Sequence, residues 1–282
     1  MTSVLGGIGT ALIFTTATVC ASRSTRMIGP TSVLSWVMLV GLVILGPIVA
    51  ASSVPLHLQA GSFGLLAVVG VTNVLGLLLA YRALRIGKVG VVAPVLSTQG
   101  AVAALIAVAA GESIGPGAAA ALGVVAAGVF LTAATPATTR DDLPGQPAAL
   151  VFAAISALCF GTNLYTIGKL GEQLPVAWVL LPARILTVAA VAAPLAATSR
   201  LRITPRALPL VVAGGICEVA GFSLFTISAR HGIAVTAVLA SSFPAFYALA
   251  AYVLFREKLG RLQVAGGATI VIGVVLLGGV RP

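Results

Sequence analysis

The sequence predicts an all-α polytopic membrane protein in which ten transmembrane helices form two inverted five-helix repeats. Three observations support this prediction: the composition, ten long apolar runs, and an internal repeat. Hydrophobic residues make up 59% of the 282 residues and charged residues 8%, and the mean hydropathy is +1.15. A soluble domain carries about 25% charged residues to cover its surface. The composition therefore excludes a soluble enzyme, a disordered chain and a nucleic-acid-binding module.

Each apolar run is long enough to cross a bilayer, because a hydrocarbon core about 30 Å thick requires about 20 apolar residues. The ten runs are 3–21, 31–51, 62–81, 89–110, 117–135, 148–168, 175–197, 207–229, 233–255 and 262–280. No basic segment precedes the first run, so we expect a membrane span there and not a cleaved signal peptide. The runs are apolar throughout and do not alternate as the strands of a β-barrel would.

The segments between the runs predict how the chain is divided. The longest polar interruption, 136–147, contains Arg140-Asp141-Asp142. It predicts a linker between a first repeat at 1–135 and a second at 148–282. Within the fifth run, Ala119, Gly123 and Ala127 recur every four residues, a spacing that lets helix backbones approach closely.

The net charge of +10 does not indicate a nucleic-acid partner. The basic residues occur singly or in small groups between apolar runs, as in the loops of membrane proteins. The three cysteines have no CxxC or CxxH spacing, so no metal site is predicted. No HExxH, GxSxG or Walker motif with its required context occurs. We therefore expect no enzyme activity and no cofactor.

The internal repeat emerges when the chain is shifted by 145 residues. Matches of Ala or Val arise by chance in this composition, but matched Arg and Glu do not, because the chain has only six acidic residues. The matched pairs are Gly70 and Gly215, Gly76 and Gly221, Arg85 and Arg230, Ser97 and Ser242, Glu112 and Glu257, and Gly128 and Gly273. Because five helices is an odd number, the two halves enter the membrane from opposite sides. Inverted repeats of this kind are typical of secondary transporters, whose substrate site lies near the midplane between the repeats.

Two stretches of the sequence resemble a known family. One runs from Tyr81 to Pro94 and is followed by Gly111-Glu112. The other runs from Ser228-Ala-Arg-His-Gly through Ser241-Ser-Phe-Pro to Glu257-Lys-Leu-Gly-Arg-Leu-Gln-Val-Ala-Gly. These are similar to the EamA repeats of the drug/metabolite transporter superfamily. The resemblance implies a ten-helix bundle in the cell membrane with a central cavity. It also implies transport of small metabolites, often outward export of amino acids or related compounds.

The two halves depart from the family pattern in different ways. The first half has Ala118 where the second has Gln263. Family members often have an arginine in the second helix of a repeat. Arg184 fits that place, whereas the first half has Met38 and Leu39 there. A substrate site built from these halves is therefore not expected to be symmetric.

Two ionisable residues lie near the middle of predicted spans, Arg184 in 175–197 and Glu218 in 207–229. A charge at that depth costs at least about 2.5 kcal/mol and usually marks function. In the functional interpretation, Glu218 couples transport to protons or another cation, and Arg184 anchors a substrate carboxylate. In the alternative interpretation, the two residues pair and only hold two helices together.

Weaker site candidates are polar residues in other spans. Asn73 is the repeat equivalent of Glu218, Asn163 and Tyr165 lie late in the sixth run, and Gln99 follows Pro94. Interhelical hydrogen bonds would also explain these residues. Glu112 and Glu257 precede the fifth and tenth runs, where a carboxylate complements the positive end of a helix. We therefore predict that both are structural.

The sequence thus favours a secondary transporter that exports or exchanges small metabolites, with the bilayer, the substrate and protons as its partners. Two alternatives remain open: a flippase for lipids or lipid precursors, and a membrane scaffold or assembly factor that transports nothing. A transporter requires Arg184, Glu218 and Asn73 to face a solvent-reachable hollow. A scaffold would bury them in paired contacts.

The distribution of basic residues predicts the orientation. Loops after odd-numbered runs hold 12 Lys and Arg, against 3 on the other side, with Arg184 left out. The positive-inside rule therefore places both termini outside, although the family resemblance implies cytoplasmic termini. A C-terminal reporter fusion measures this directly. Cytoplasmic fluorescence without periplasmic phosphatase activity would contradict the charge argument.

Overall fold

Every regular element in the described part of the chain is a helix. A computed structural model gives the structure and describes residues 2–52, 60–86, 92, 95–133, 146–247, 249 and 261–279. The helices are α1 (Thr2–Ile28), α2 (Pro30–Ala51), α3 (Ala60–Ile86), α4 (Gln99–Ala109), α5 (Pro116–Ala133), α6 (Gln146–Gly171), α7 (Val176–Thr187), α8 (Leu208–Ala229), α9 (Ile233–Ala240) and α10 (Arg261–Gly279). Helix α7 continues through a π-helical turn, Val188–Ala192, into Ala193–Ala197.

Six helical segments are long and apolar enough to cross a membrane. They are Thr2–Ile28, Pro30–Ala51, Ser62–Ala83, Pro147–Gly171, Val176–Ala197 and Leu208–Ala229. The other four predicted spans correspond to shorter apolar helices, Val95–Ala109, Pro116–Leu131, Ile233–Tyr247 and Val264–Leu276. These helices confirm the predicted all-α polytopic architecture. Residues 134–145, most of the expected linker, lie outside the described residues.

Helix α1 is longer than its apolar run predicts. It continues past residue 21 to Ile28. In this extension Ser24 Oγ is buried and donates hydrogen bonds to the carbonyls of Cys20 and Ala21 at 2.8 and 3.2 Å, which satisfies the hydroxyl within the helix. Gly29, with φ +84°, and Pro30 then end α1 and start α2.

The two halves pack on each other through equivalent contacts. A Cβ atom on Gly70 of α3 would lie 3.4 Å from Pro182 O of α7, and one on Gly215 of α8 would lie 3.1 Å from Val37 O of α2. Gly70 and Gly215 are 145 residues apart in the chain, and so are Val37 and Pro182. The two contacts are therefore equivalent, as the sequence repeat requires. Each half therefore packs against the other in the same way.

Helices α5 and α10 are the clearest example of equivalent packing between the two halves. A Cβ on Gly128 would lie 2.8 Å from Gly266 O and from Ile270 N, and one on Gly273 would lie 3.0 Å from Val125 N. Residue numbers rise along one helix as they fall along the other, so α5 and α10 run antiparallel. Equivalent helices of the two repeats thus have opposite directions, which is the predicted inverted arrangement.

The stripe of Ala119, Gly123 and Ala127 does not make the close packing expected of it. Gly123 and Ala119 lie on the outer side of α5, and a methyl group on Gly123 would meet nothing within 4 Å. The helix packs instead through a neighbouring face that carries Val125 and Gly128, because the branched side chains of Val125 and Val129 are buried there. The four-residue spacing of small residues allows close packing but does not identify the face that packs. In α5 the packed face is the one with the buried side chains of Val125 and Val129.

Local irregularities interrupt three of the helices at mid-span. Thr98 precedes α4, and Ser241 and Ser242 follow α9, at nearly equivalent places in the repeats. There Thr98 N donates to Val95 O and Ser242 N to Leu239 O, both with the tighter three-residue spacing. In α7 the π-helical turn precedes Pro194, which cannot donate to the preceding turn.

Gly128 and Gly123 form a matched pair for testing the α5–α10 contact. Gly128→Ala places a methyl group against backbone atoms that cannot move aside, so we expect it to destabilise the protein by about 1–3 kcal/mol. A methyl group at Gly123 would have no atom within 4 Å. Gly123→Ala should therefore be neutral or stabilise by up to about 1 kcal/mol. Thermal unfolding in detergent measures both, and equal effects would contradict the packing described above.

Candidate functional site

Arg184 of α7 and Glu218 of α8 form an ion pair in the middle of their spans. Arg184 Nη2 lies 2.9 Å from Glu218 Oε2, and the side chains are 1% and 14% exposed, respectively. The guanidinium carbon lies 5.5 Å from the centroid of the Phe222 ring, one helical turn beyond Glu218. Pairing offsets the cost of burying both charges. Glu218 is the more exposed member of the pair.

The first half of the chain approaches this pair through a glycine. A Cβ on Gly41 of α2 would lie 3.0 Å from Arg184 Nε and 3.3 Å from Arg184 Cγ. Any side chain at this position would push α2 away from the guanidinium. Arg184 Nε itself is buried without a hydrogen-bond partner. A buried donor without a partner is rare and costs about 1–3 kcal/mol.

Two separate sets of hydrogen bonds link α3 to α7 and to α6. Thr187 Oγ1, one turn after Arg184, donates to Asn73 Oδ1 at 3.3 Å and to Ala183 O at 2.7 Å. Asn163 Nδ2 donates to Val69 O at 2.7 Å and to Thr72 Oγ1 at 3.1 Å. We call Thr72, Asn73, Asn163, Arg184, Thr187 and Glu218 the polar belt. The belt joins α3 of the first half to α6, α7 and α8 of the second.

A small central hollow borders the polar belt. Its volume is about 40 Å³, and it is lined by Phe14, Gln99, Phe160, Asn163, Leu164, Phe222, Ala240 and Ser241. Asn163 belongs to both the belt and the hollow, and Phe222 contacts both. Ser241 Oγ is buried here without a hydrogen-bond partner. This volume admits a few water molecules but no metabolite, so the hollow is closed in this conformation.

A larger cavity of about 480 Å³ opens at one end of the bundle, where α4, α6 and α8 end and α9 begins. We call it the vestibule. It is lined by Ala107, Ala110, Gly111, Glu112, Ser113, Tyr165, Lys169, Glu172, Ala229, Arg230, His231, Gly232 and Ile233. Lys169 Nζ pairs with Glu172 Oε2 at 2.8 Å, and Arg230 Nε donates to Gly171 O at 2.6 Å. Tyr165 therefore belongs to the vestibule and not to the polar belt.

Glu112 binds a helix N-terminus, but not that of the helix that follows it. Its carboxylate oxygens accept hydrogen bonds from the backbone N–H groups of Ile233 and Ala234, at 3.2 Å each. Glu112 therefore caps α9 in the second half, whereas its sequence position suggested α5. The crossing of the two repeats brings α9 to the end of α4. Glu257 lies outside the described residues.

The sequence candidates thus fall into separate places. Arg184, Glu218, Asn73 and Asn163 lie in the polar belt, Gln99 lies in the hollow and Tyr165 in the vestibule. Arg184 and Asn73 are buried in paired contacts, which is what the helix-clamping interpretation expects. Sequence reasoning missed Thr187, although its position three residues after Arg184 on the same helix face could have indicated it.

Both halves of the chain match one family model, described as the EamA-like transporter family, at residues 1–134 and 147–279. The chain belongs to the EamA-like transporter family. It is therefore an integral, multi-pass membrane protein and a membrane transporter of the drug/metabolite transporter type. The resemblance inferred from the two motif stretches is confirmed.

The fold is also similar to known structures. A solved structure described only as "Crystal structure of protein" has a TM-score of 0.79 and 19% sequence identity, over 97% of this chain and 95% of that chain. At this identity the likeness concerns the fold alone. No curated protein matches this EamA chain.

The energetic role of the ion pair can be separated from any role in transport. Glu218→Ala leaves the buried Arg184 charge without a partner, so we expect a loss of about 3–5 kcal/mol in unfolding free energy. The double variant Arg184→Met/Glu218→Ala removes both charges and should recover most of that loss. Thermal unfolding in detergent of the two single variants and the double variant measures the coupling.

The exposed pair Lys169–Glu172 provides the control. Its side chains are 45% and 38% exposed, and exposed pairs contribute about 0–1 kcal/mol. Lys169→Ala/Glu172→Ala should therefore leave the unfolding temperature nearly unchanged. Additive losses at Arg184 and Glu218 would show that the two side chains do not stabilise each other.

Proposed function

We propose that this EamA protein is a secondary transporter that exports or exchanges a small polar or amphipathic metabolite by alternating access. The polar belt carries this proposal, because it places a buried ion pair and two sets of hydrogen bonds where the two halves meet. Ionisable residues at mid-membrane are costly and are retained mainly for function.

The contacts between the halves suit a structure that changes between two states. Hydrogen bonds link Asn73 to Thr187 and Thr72 to Asn163, and each such bond contributes only about 1 kcal/mol in a membrane. Where the helices of the two halves cross at Gly70 and Gly215, the glycines have no side chains that would block a sliding movement. Rocking of one half against the other therefore requires few bonds to break. The interrupted helices α4 and α9 fit this motion, since transporter sites are typically built at discontinuous helices.

The groups around the hollow indicate what the substrate offers. Ser241 Oγ lines the hollow and has no hydrogen-bond partner among the described residues, and Phe14, Phe160 and Phe222 provide apolar surface. Arg184 does not line the hollow, but its guanidinium carbon lies 5.5 Å from the ring of Phe222, which does. A substrate with a carboxylate or another acceptor and a short apolar part would satisfy both the polar groups and the apolar surface. The planar guanidinium binds carboxylates through two parallel hydrogen bonds. In this proposal the substrate carboxylate replaces Glu218 as the partner of Arg184.

Glu218 then has the role of the coupling carboxylate. A proton bound to Glu218 removes its negative charge and weakens its hold on Arg184. The freed guanidinium is available to an anionic group of the substrate. Loss of the proton restores the ion pair and expels the substrate. The greater exposure of Glu218 relative to Arg184 supports this order, because the proton reaches the carboxylate first.

The vestibule is the access route on its side of the membrane. Helix α9 begins at the vestibule with Ile233, and Ser241 in the hollow follows eight residues later. At 1.5 Å per residue this separation is about 12 Å. Between the two cavities, Ala234 and Ala237 are fully buried. These small side chains form the closed barrier that has to open in the other state.

Transport by purified protein in liposomes tests the proposal. A counterflow screen against a panel of small metabolites identifies a substrate. Glu218→Gln should then abolish accumulation driven by a pH gradient and spare exchange, because the amide cannot carry the proton. Arg184→Lys keeps the charge but loses the planar fork, so we expect a loss of apparent affinity of about tenfold or more.

The control is Asp141→Asn in the linker, which removes a carboxylate outside the predicted spans. It should leave accumulation and exchange unchanged. Undiminished pH-driven accumulation by Glu218→Gln would overturn the coupling role. No counterflow of any tested metabolite in well-folded wild-type protein would favour a role other than metabolite transport.

A further inference from the structure

The loop between α7 and α8 carries a group of arginines at the end of the bundle opposite the vestibule. Residues 198–207 connect the end of the α7 segment at Ala197 to the start of α8 at Leu208. Arg200, Arg202 and Arg206 are all exposed there. Since α7 and α8 are spans, this loop lies at the level of lipid head groups.

The loop is held in place by backbone hydrogen bonds to α2. Trp36 Nε1 donates to Arg202 O at 3.0 Å, and Arg202 N donates to Ser32 Oγ at 3.2 Å. Both bonds use the backbone of Arg202, so its side chain is left exposed. A tryptophan at this level is also typical of the membrane interface.

The end of α1 contributes a fourth arginine to the same place. Ile28, Val33, Ala207 and Val211 form one buried cluster, which packs the ends of α1, α2 and α8 together. Arg26 is exposed two residues before Ile28. We call Arg26, Arg200, Arg202 and Arg206 the arginine face. Among the described residues, the carboxylates lie at the vestibule or at mid-span, and none lies at this end.

Apolar side chains accompany the arginines. Met27, Ile203 and Leu208 are 49%, 41% and 48% exposed, respectively. Each is next to or near an arginine in the chain, so the surface offers cations and apolar groups together. A phospholipid presents the complementary pair, an anionic phosphate and an acyl chain. A soluble anion would satisfy the arginines alone.

We propose that the arginine face binds the head groups of anionic phospholipids, with their acyl chains against Met27, Ile203 and Leu208. The phosphates accept hydrogen bonds from the guanidinium groups, which bind phosphate through two donors at once. Each basic residue near an anionic bilayer surface strengthens binding about fivefold. This proposal does not depend on transport, and the lipid here is a bound partner and not the substrate.

Lipid retention by the purified full-length protein tests the proposal. Detergent-solubilised protein is exchanged into mixed micelles of phosphatidylglycerol and phosphatidylcholine, and retained lipid is quantified by native mass spectrometry. We expect wild-type protein to prefer phosphatidylglycerol about tenfold or more, from the gain per basic residue. Arg202→Gln/Arg206→Gln should lose most of this preference, and Arg202→Lys/Arg206→Lys should keep much of it because the charge remains. The preference should also fall as salt rises.

Two further variants distinguish binding at the arginine face from nonspecific electrostatic attraction of anionic lipid. Arg261→Gln removes an exposed arginine at the start of α10, which is outside the arginine face, and should lower the preference much less than Arg202→Gln/Arg206→Gln does. Trp36→Phe keeps an aromatic ring but loses the bond to Arg202 O, so we expect a partial loss with all arginines present.

Three results would overturn the proposal. The first is equal retention of the two lipids by wild-type protein. The second is an equal loss of preference in Arg261→Gln and in the double Gln variant. The third is displacement of phosphatidylglycerol by glycerol phosphate at comparable concentration, which would show that the face recognises a soluble anion. Folding of each variant is checked by its unfolding temperature.

Discussion

A guanidinium in the middle of a membrane has to be neutralised before the helices around it can pack. Arg184 meets this constraint with Glu218 on the next span, Phe222 beside its charged end and Gly41 opposite its stem. The charge and size of the arginine determine which kinds of residue suit these three positions. A carboxylate supplies charge, a ring supplies a polarisable face, and a glycine supplies room. Arg184 therefore limits what α2 can place against it at Gly41. The approach of Val37 to Gly215 and the bond from Trp36 to Arg202 O also hold α2 in position.

The main features of the fold could be predicted from the sequence, because they depend on hydropathy and repetition over long segments of the chain. Ten apolar runs and a shift of 145 residues indicated the helices and the repeat, and the family match supports both. Details that depend on single contacts could not be predicted. Glu112 caps α9 because the halves cross, and this contact is not visible in the order of residues along the chain.

Those residues of the candidate site that carry a charge within an apolar run could be predicted from the sequence. A charge within an apolar run identifies Arg184 and Glu218, and their pairing was one of two interpretations considered. The sequence could not choose between Asn163 in the polar belt and Tyr165 in the vestibule, although they are two residues apart. On a helix, that separation places side chains on different faces. Ser241 is not among the site candidates that the sequence offers, and only its burial without a partner among the described residues distinguishes it.

The polar belt is built unequally, and this inequality has a consequence for the resting protein. A carrier with two identical halves would have two end states of equal energy, related by exchanging the halves. Here Glu218 corresponds to Asn73, and the first half has Leu39 where the second has Arg184. The ion pair therefore forms within one half only, and exchange of the halves does not reproduce it. Under the alternating access proposed above, the two end states therefore differ in energy, and without a gradient the molecule occupies one of them preferentially.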